Sequence, residues 1–138
     1  MQASKLFHFF TTLWLGMLLG VSFFSAPVKF LAPSLTKPVA LEIGDLSFRY
    51  FNYIEWGLCL VLLIIAIGFL RNKLAIALLV SLAAVLAMDS FYLLPDLHQY
   101  LVAMTAGSET PNIALQHRLY LVGDFYKALA LLLSIIFD

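Results

Sequence analysis

Apolar residues run in long unbroken stretches along this chain, and four of them have the length of a bilayer span: Leu6–Phe24, Tyr50–Leu70, Leu74–Leu94 and Leu119–Phe137. The hydrocarbon core of a bilayer is about 30 Å thick and a helix rises ~1.5 Å per residue, so ~20 apolar residues cross it. None of the four stretches holds a cluster of turn-forming residues that would cut it into strands. The pattern predicts an all-α, integral membrane four-helix bundle, antiparallel, with residues 1–138 as a single transmembrane domain.

The polar intervals set the topology. Only Arg71-Asn72-Lys73 joins the second and third stretches, so these two must form a tight antiparallel hairpin. The intervals from Ala26 to Arg49 and from Pro95 to Arg118 are longer, and an even number of spans puts both on one side, opposite the termini. Pro27-Val28-Lys29-Phe30-Leu31-Ala32-Pro33 stays apolar past the first span and suits a re-entrant or interfacial segment ended by Pro33 and Pro38. Pro95 to Leu101 has the spacing of a short amphipathic helix, and Ala106 to Asn112 reads as a turn-rich tip. Lys5, Arg71 and Lys73 lie densely on the termini side, whereas Lys29, Lys37, Arg49 and Arg118 are diluted by Glu42, Asp45, Asp96 and Glu109. By the positive-inside rule, density places both termini in the cytoplasm while the raw count slightly favours the reverse, and the termini are expected inside.

Composition agrees. The chain is 63% hydrophobic and 12% charged, with a mean hydropathy of +0.99; a soluble domain is nearer half apolar and a quarter charged. Zero net charge leaves no basic field for nucleic acid, and the single Cys59, inside the second span, excludes a disulfide framework and a zinc cluster. The first stretch exceeds a signal-peptide core in length, and Pro27 directly after Ser25-Ala26 hinders cleavage, so it is expected to be a retained helix. No cofactor is required by any motif: Gly-rich phosphate loops, Ser/His/Asp arrangements, CxxC and HExxH are all missing from the sequence.

Ionisable residues inside spans are the candidates for chemistry, since each costs roughly 2.5–3.5 kcal/mol or more in hydrocarbon. Glu55, Asp89, Asp124 and Lys127 are the clear cases. Counted from the expected loop-side helix ends, all four fall at about 9–14 Å depth, a common level shared by three helices. His117, Tyr120, Asp124 and Lys127 follow i, i+3, i+7, i+10 on one face of the fourth helix, while Asn52, Glu55 and Cys59 share a face of the second below Arg49. Two readings follow. One is a polar, ionisable pocket open to the loop side, with Glu55, Asp89, Asp124, Lys127, Arg49, His117, Arg118 and Tyr120 as its ligand- or ion-binding residues. The other is structural pairing, Asp124 with Lys127 and Glu55 and Asp89 with Arg49 or Arg118.

His8 is expected to be an interfacial or hydrogen-bonded histidine and is only a weak haem or metal candidate, because no second histidine lies within a span. His98 and His117 with Asp96 and Glu109 are a weaker loop-side metal candidate. Gly16 and Gly20 form a GxxxG stripe, extended by Thr12, that allows close helix approach within the bundle or between copies in a homo-oligomer or larger membrane complex. Trp14 sits mid-span, while Trp56, Tyr50, Tyr53, Tyr92 and Tyr100 suit an aromatic belt at the loop-side interface.

His8, Trp14-Leu15-Gly16 and Phe24-Ser25-Ala26-Pro27 resemble the first helix of small bacterial membrane proteins related to transmembrane protein 205, the DUF4149-like group. Phe48-Arg49-Tyr50-Phe51, Leu94-Pro95 and Gln116-His117-Arg118-Leu119 look like that group's second-helix start, third-helix exit and fourth-helix start, so the resemblance spans nearly the whole chain. Asp124 stands where the group commonly has an uncharged polar residue. The resemblance implies a four-helix protein of a bacterial inner membrane without a settled activity. The Trp-x-Gly first helix is also similar to that of copper-resistance membrane proteins, which keeps metal handling in view.

The favoured expectation is therefore binding or transport of a small polar or ionic species in a loop-side pocket. A non-catalytic accessory or assembly subunit is the alternative. A membrane enzyme using Glu55, Asp89 or Asp124 as acid or base comes third.

Overall fold

The computed structural model describes residues 2–137. Four helices cross the bundle: α1 Gln2–Leu31, α2 Lys37–Leu70, α3 Lys73–Thr105 and α4 Ala114–Ile136. Each packs antiparallel to its chain neighbours, and α4 closes the ring against α1.

The α2–α3 turn follows from its residues. Arg71 adopts a left-handed conformation at φ 53° and ends α2. Asn72 then caps α3, its Oδ1 accepting from the backbone N–H of Leu74 at 3.0 Å and of Ala75 at 3.2 Å, two of the donors a helix start leaves without partners.

The other two connections are shorter than the sequence suggests. Residues 26–31 continue α1 as helix, α2 begins at Lys37, and α3 runs on through Pro95 to Thr105. The expected re-entrant segment and the separate amphipathic helix are thus extensions of the spans themselves. The reason lies in the helix geometry around the prolines. Pro27 follows a π-helical stretch, Leu19–Ser25, and Pro95 follows another, Asp89–Leu93. Proline lacks an N–H and its ring crowds the carbonyl one turn back; a wider turn just before it relieves that clash and lets the helix go on. At 34 residues, α2 is about 50 Å long, longer than the ~30 Å hydrocarbon core, so its loop-side end reaches headgroup level.

Phe7, Leu18, Leu58, Leu62, Leu79, Leu82 and Leu131 form a closed apolar core in the half of the bundle nearer the termini. Large apolar side chains such as Phe9, Leu60, Val80 and Val122 point outward, as lipid contact requires. Gly16 and Gly20 also face outward, with open space where a Cβ would stand. The expected packing of this stripe inside the bundle is corrected: α1 turns its Trp14 and Leu18 face inward instead, because those side chains bury far more apolar area. Cys59 is buried against α3, its thiol 3.7 Å from the Leu79 carbonyl.

Candidate functional site

Lys127 is fully buried, and its ammonium gathers a carboxylate from each of three helices. It donates to Glu55 Oε2 of α2 at 3.2 Å and to Asp89 Oδ2 of α3 at 3.1 Å. Asp124 Oδ1, one turn back on α4, lies 2.8 Å from the same nitrogen. Geometry separates these contacts. Asp124 is in ion-pair contact, yet neither of its oxygens accepts a hydrogen bond among the described residues, and Asp89 Oδ1 likewise accepts none. The Tyr120 ring covers the cation from 5.6 Å.

Glu55 and Asp89 were expected to find Arg49 or Arg118 if the charges served only to orient the helices. The structure pairs them with Lys127 instead. Arg49 belongs to a separate cluster near the surface, donating to Asp45 Oδ2 at 2.6 Å. His98 Nδ1 stands 2.8 Å from Arg49 Nη2 and 3.0 Å from Asp45 Oδ2, accepting from the first or donating to the second according to its tautomer. Arg118 and His117 are exposed at the start of α4, and Arg118 makes no ion pair among the described residues. His8 is at the opposite end of the bundle, its Nε2 3.2 Å from the Ile135 carbonyl, so the three histidines are not brought together. Among the described residues no group of three or more His, Cys, Asp or Glu side chains is arranged to hold a metal ion.

Trp14 completes the layer and was missed as part of it. Its ring is fully buried and its Nε1–H donates to Glu55 Oε1 at 3.1 Å, so α1 contributes as well. The signal was there: a mid-span tryptophan needs an acceptor for its N–H, and the interface where tryptophan usually finds one is far away. Beside this layer, Ser90 links α3 to α2, accepting from Trp56 Nε1 at 2.9 Å and standing 2.7 Å from Asn52 Oδ1.

Directly on the loop side of the ionic layer lies a cavity of about 470 Å³. All four helices wall it, with Phe23, Phe30, Phe48 and Phe125 among its apolar lining and Asp124 and Tyr120 at its inner end. His117, Lys29 and Asp45 reach it nearer the mouth. Lys29 owes its place to Gly44: a Cβ there would collide with its Nζ. The ammonium sits between the Phe30 and Phe48 rings, 5.3 and 5.5 Å from their centroids.

Four membrane-length apolar helices around a buried carboxylate–lysine layer define an integral membrane protein of a small bundle type. The family model described as "Domain of unknown function (DUF4149)" matches residues 9–105, and the chain belongs to that family. The matched segment takes in most of α1 and all of α2 and α3, with Trp14, Glu55 and Asp89; α4, with Asp124, Lys127 and the His117-Arg118 pair, follows it. No curated relative and no solved structure matches the chain.

Proposed function

We propose that the loop-side cavity binds a small polar or ionic species against the carboxylate–lysine layer, holding it for passage across the membrane or delivery at its surface. One observation carries this reading. Asp124 is completely buried at the inner end of a 470 Å³ cavity, and neither of its oxygens accepts a hydrogen bond among the described residues. Its Oδ1 has only the ion pair with Lys127, an ammonium that Glu55 and Asp89 share, and a carboxylate so placed loses its hydration with too little in return, a cost that a bound partner would offset. An accessory subunit held together by paired charges would call for no such cavity. The dense Lys5, Arg71 and Lys73 on the termini side support both termini lying in the cytoplasm, which opens the cavity outward from a bacterial inner membrane.

The test is mass spectrometry of the small molecules that co-purify in mild detergent with the wild-type protein and with Asp124→Asn. A species enriched with the wild type and lost from the variant is expected. Identical profiles would refute a ligand role for this carboxylate.

A further inference from the structure

The ligand's chemistry is written in the charges and orphaned groups around the cavity. Three carboxylates, Glu55, Asp89 and Asp124, surround one ammonium, so the fully ionised layer carries an excess of two negative charges. Uncompensated charge at this depth is strongly unfavourable. Lys127 already satisfies one oxygen of Asp89 and both of Glu55's are engaged; Asp89 Oδ1 and both oxygens of Asp124 accept no hydrogen bond among the described residues, and of these two acids Asp124, held by its ion pair with Lys127, is the one that lines the cavity.

A second orphan faces the same space. Thr11, Ser47, Ser90 and Ser134 each place their hydroxyl on the carbonyl four residues back in their own helix, the usual resting place for a helical hydroxyl. Ser22 does not. It is 9% exposed, lines the cavity, and its Oγ has no hydrogen-bond partner among the described residues. It sits in the π-helical stretch Leu19–Ser25, where the widened turn displaces the carbonyls a hydroxyl would otherwise reach; such turns recur at functional sites.

The remaining wall is apolar and aromatic, a surface that covers a hydrocarbon body and attracts cations to its ring faces. Lys29 stands nearer the mouth and repels a second positive charge.

We propose that the cavity takes an amphiphilic organic monocation carrying an N–H donor. Its ammonium sits at the inner end between Asp124 and the Ser22 hydroxyl, and its apolar body lies along Phe23, Phe48 and Phe125. Lys29 selects against dications. The proposal rests on the binding reading above and names the class of ligand.

Three probes with one body and different heads test it: 2-phenylethylammonium, 2-phenylethanol and 3-phenylpropanoate. Binding is titrated in nanodiscs by calorimetry, with partition into empty nanodiscs subtracted. The ammonium should saturate and bind about tenfold or more tightly than the alcohol, as expected when one partner of a hydrogen bond is charged. Asp124→Asn should remove that tenfold preference while leaving the alcohol unchanged, and Ser22→Ala should weaken the ammonium by a smaller factor. Both variants must melt as the wild type does, and Ser22→Ala supplies the answer should Asp124→Asn fold poorly. Repeating the titration with phosphatidylethanolamine in the disc tells the two sources of such a head apart. Competition names a lipid headgroup amine, its lack a free amine, and either agrees with the proposal. Equal binding of ammonium and alcohol would mean the layer is neutralised by its own protons and overturns the proposal. Preference for the carboxylate, abolished by Lys29→Gln, overturns the ligand class while keeping the cavity as a binding site. Binding of none of the three sinks both.

Discussion

Lys127 faces three carboxylates, and its removal should be felt by all of them. Lys127→Met leaves three buried acids without a cation, and losing one partner of a buried ion pair costs about 3–5 kcal/mol. Were Asp124 its sole partner, the double variant Asp124→Leu/Lys127→Met would regain that stability. Because Glu55 and Asp89 also depend on the ammonium, the double variant should stay destabilised, as read from reversible unfolding in detergent. Full recovery would show that the cross-helix pairs contribute nothing. Trp14→Phe keeps the aromatic packing but takes the N–H from Glu55 Oε1; an acceptor left short of a donor loses about 1–3 kcal/mol. An unchanged melting temperature in that variant would remove Trp14 from the layer. Glu55, Asp89, Asp124 and Lys127 were legible in the sequence because charge is rare in a span. Trp14 and Ser22 were not, because both residue types are common in membrane helices for other reasons and only their partners, or lack of them, set these two apart.

At the scale of the element, glycines mark the contrast between inner and outer faces. Gly123 lies where α4 meets α3: a Cβ there would stand 3.3 Å from Val85 Cγ1 and 3.9 Å from Asp89 Oδ1. Gly123→Leu should push the helices apart beside the ionic layer and destabilise the protein by about 1–3 kcal/mol, the usual range for overpacking. Gly16→Leu and Gly20→Leu, on the open face of α1, should leave the melting temperature of detergent-solubilised protein unchanged. A drop in either would mean that this stripe packs against another helix, as in a dimer. The helix ends tell a similar story. The spans read from the sequence stop at Phe24 and Leu94, shortly before Pro27 and Pro95, and a proline normally breaks the bonding of the turn before it. The π-helical turns that absorb them depend on backbone adjustment across a whole bundle and leave no residue signature of their own.

For the molecule as a whole, three of the helices, at 30 to 34 residues, are longer than the hydrocarbon core requires, and the loop-side end of the bundle holds the cavity. Cysteines at Thr36 and Ser108, both exposed in loop-side connections, should react with a membrane-impermeant maleimide on intact cells, and one at Gln2 should not. Labelling of Gln2→Cys alone would reverse the proposed orientation. The number of spans, their antiparallel order and the common depth of four ionisable residues follow from the sequence alone, because a bilayer imposes one length and one penalty on every segment that enters it. Which acid meets which base did not. Along α4, Asp124 and Lys127 are one turn apart and read as a self-contained pair; only the approach of α2 and α3 brings Glu55 and Asp89 within 3.2 Å of the same ammonium. That approach is decided by how Trp14, Leu18, Leu62, Leu82 and their neighbours fill the interior. Packing of this kind depends on shape across helices, and no single helix carries it.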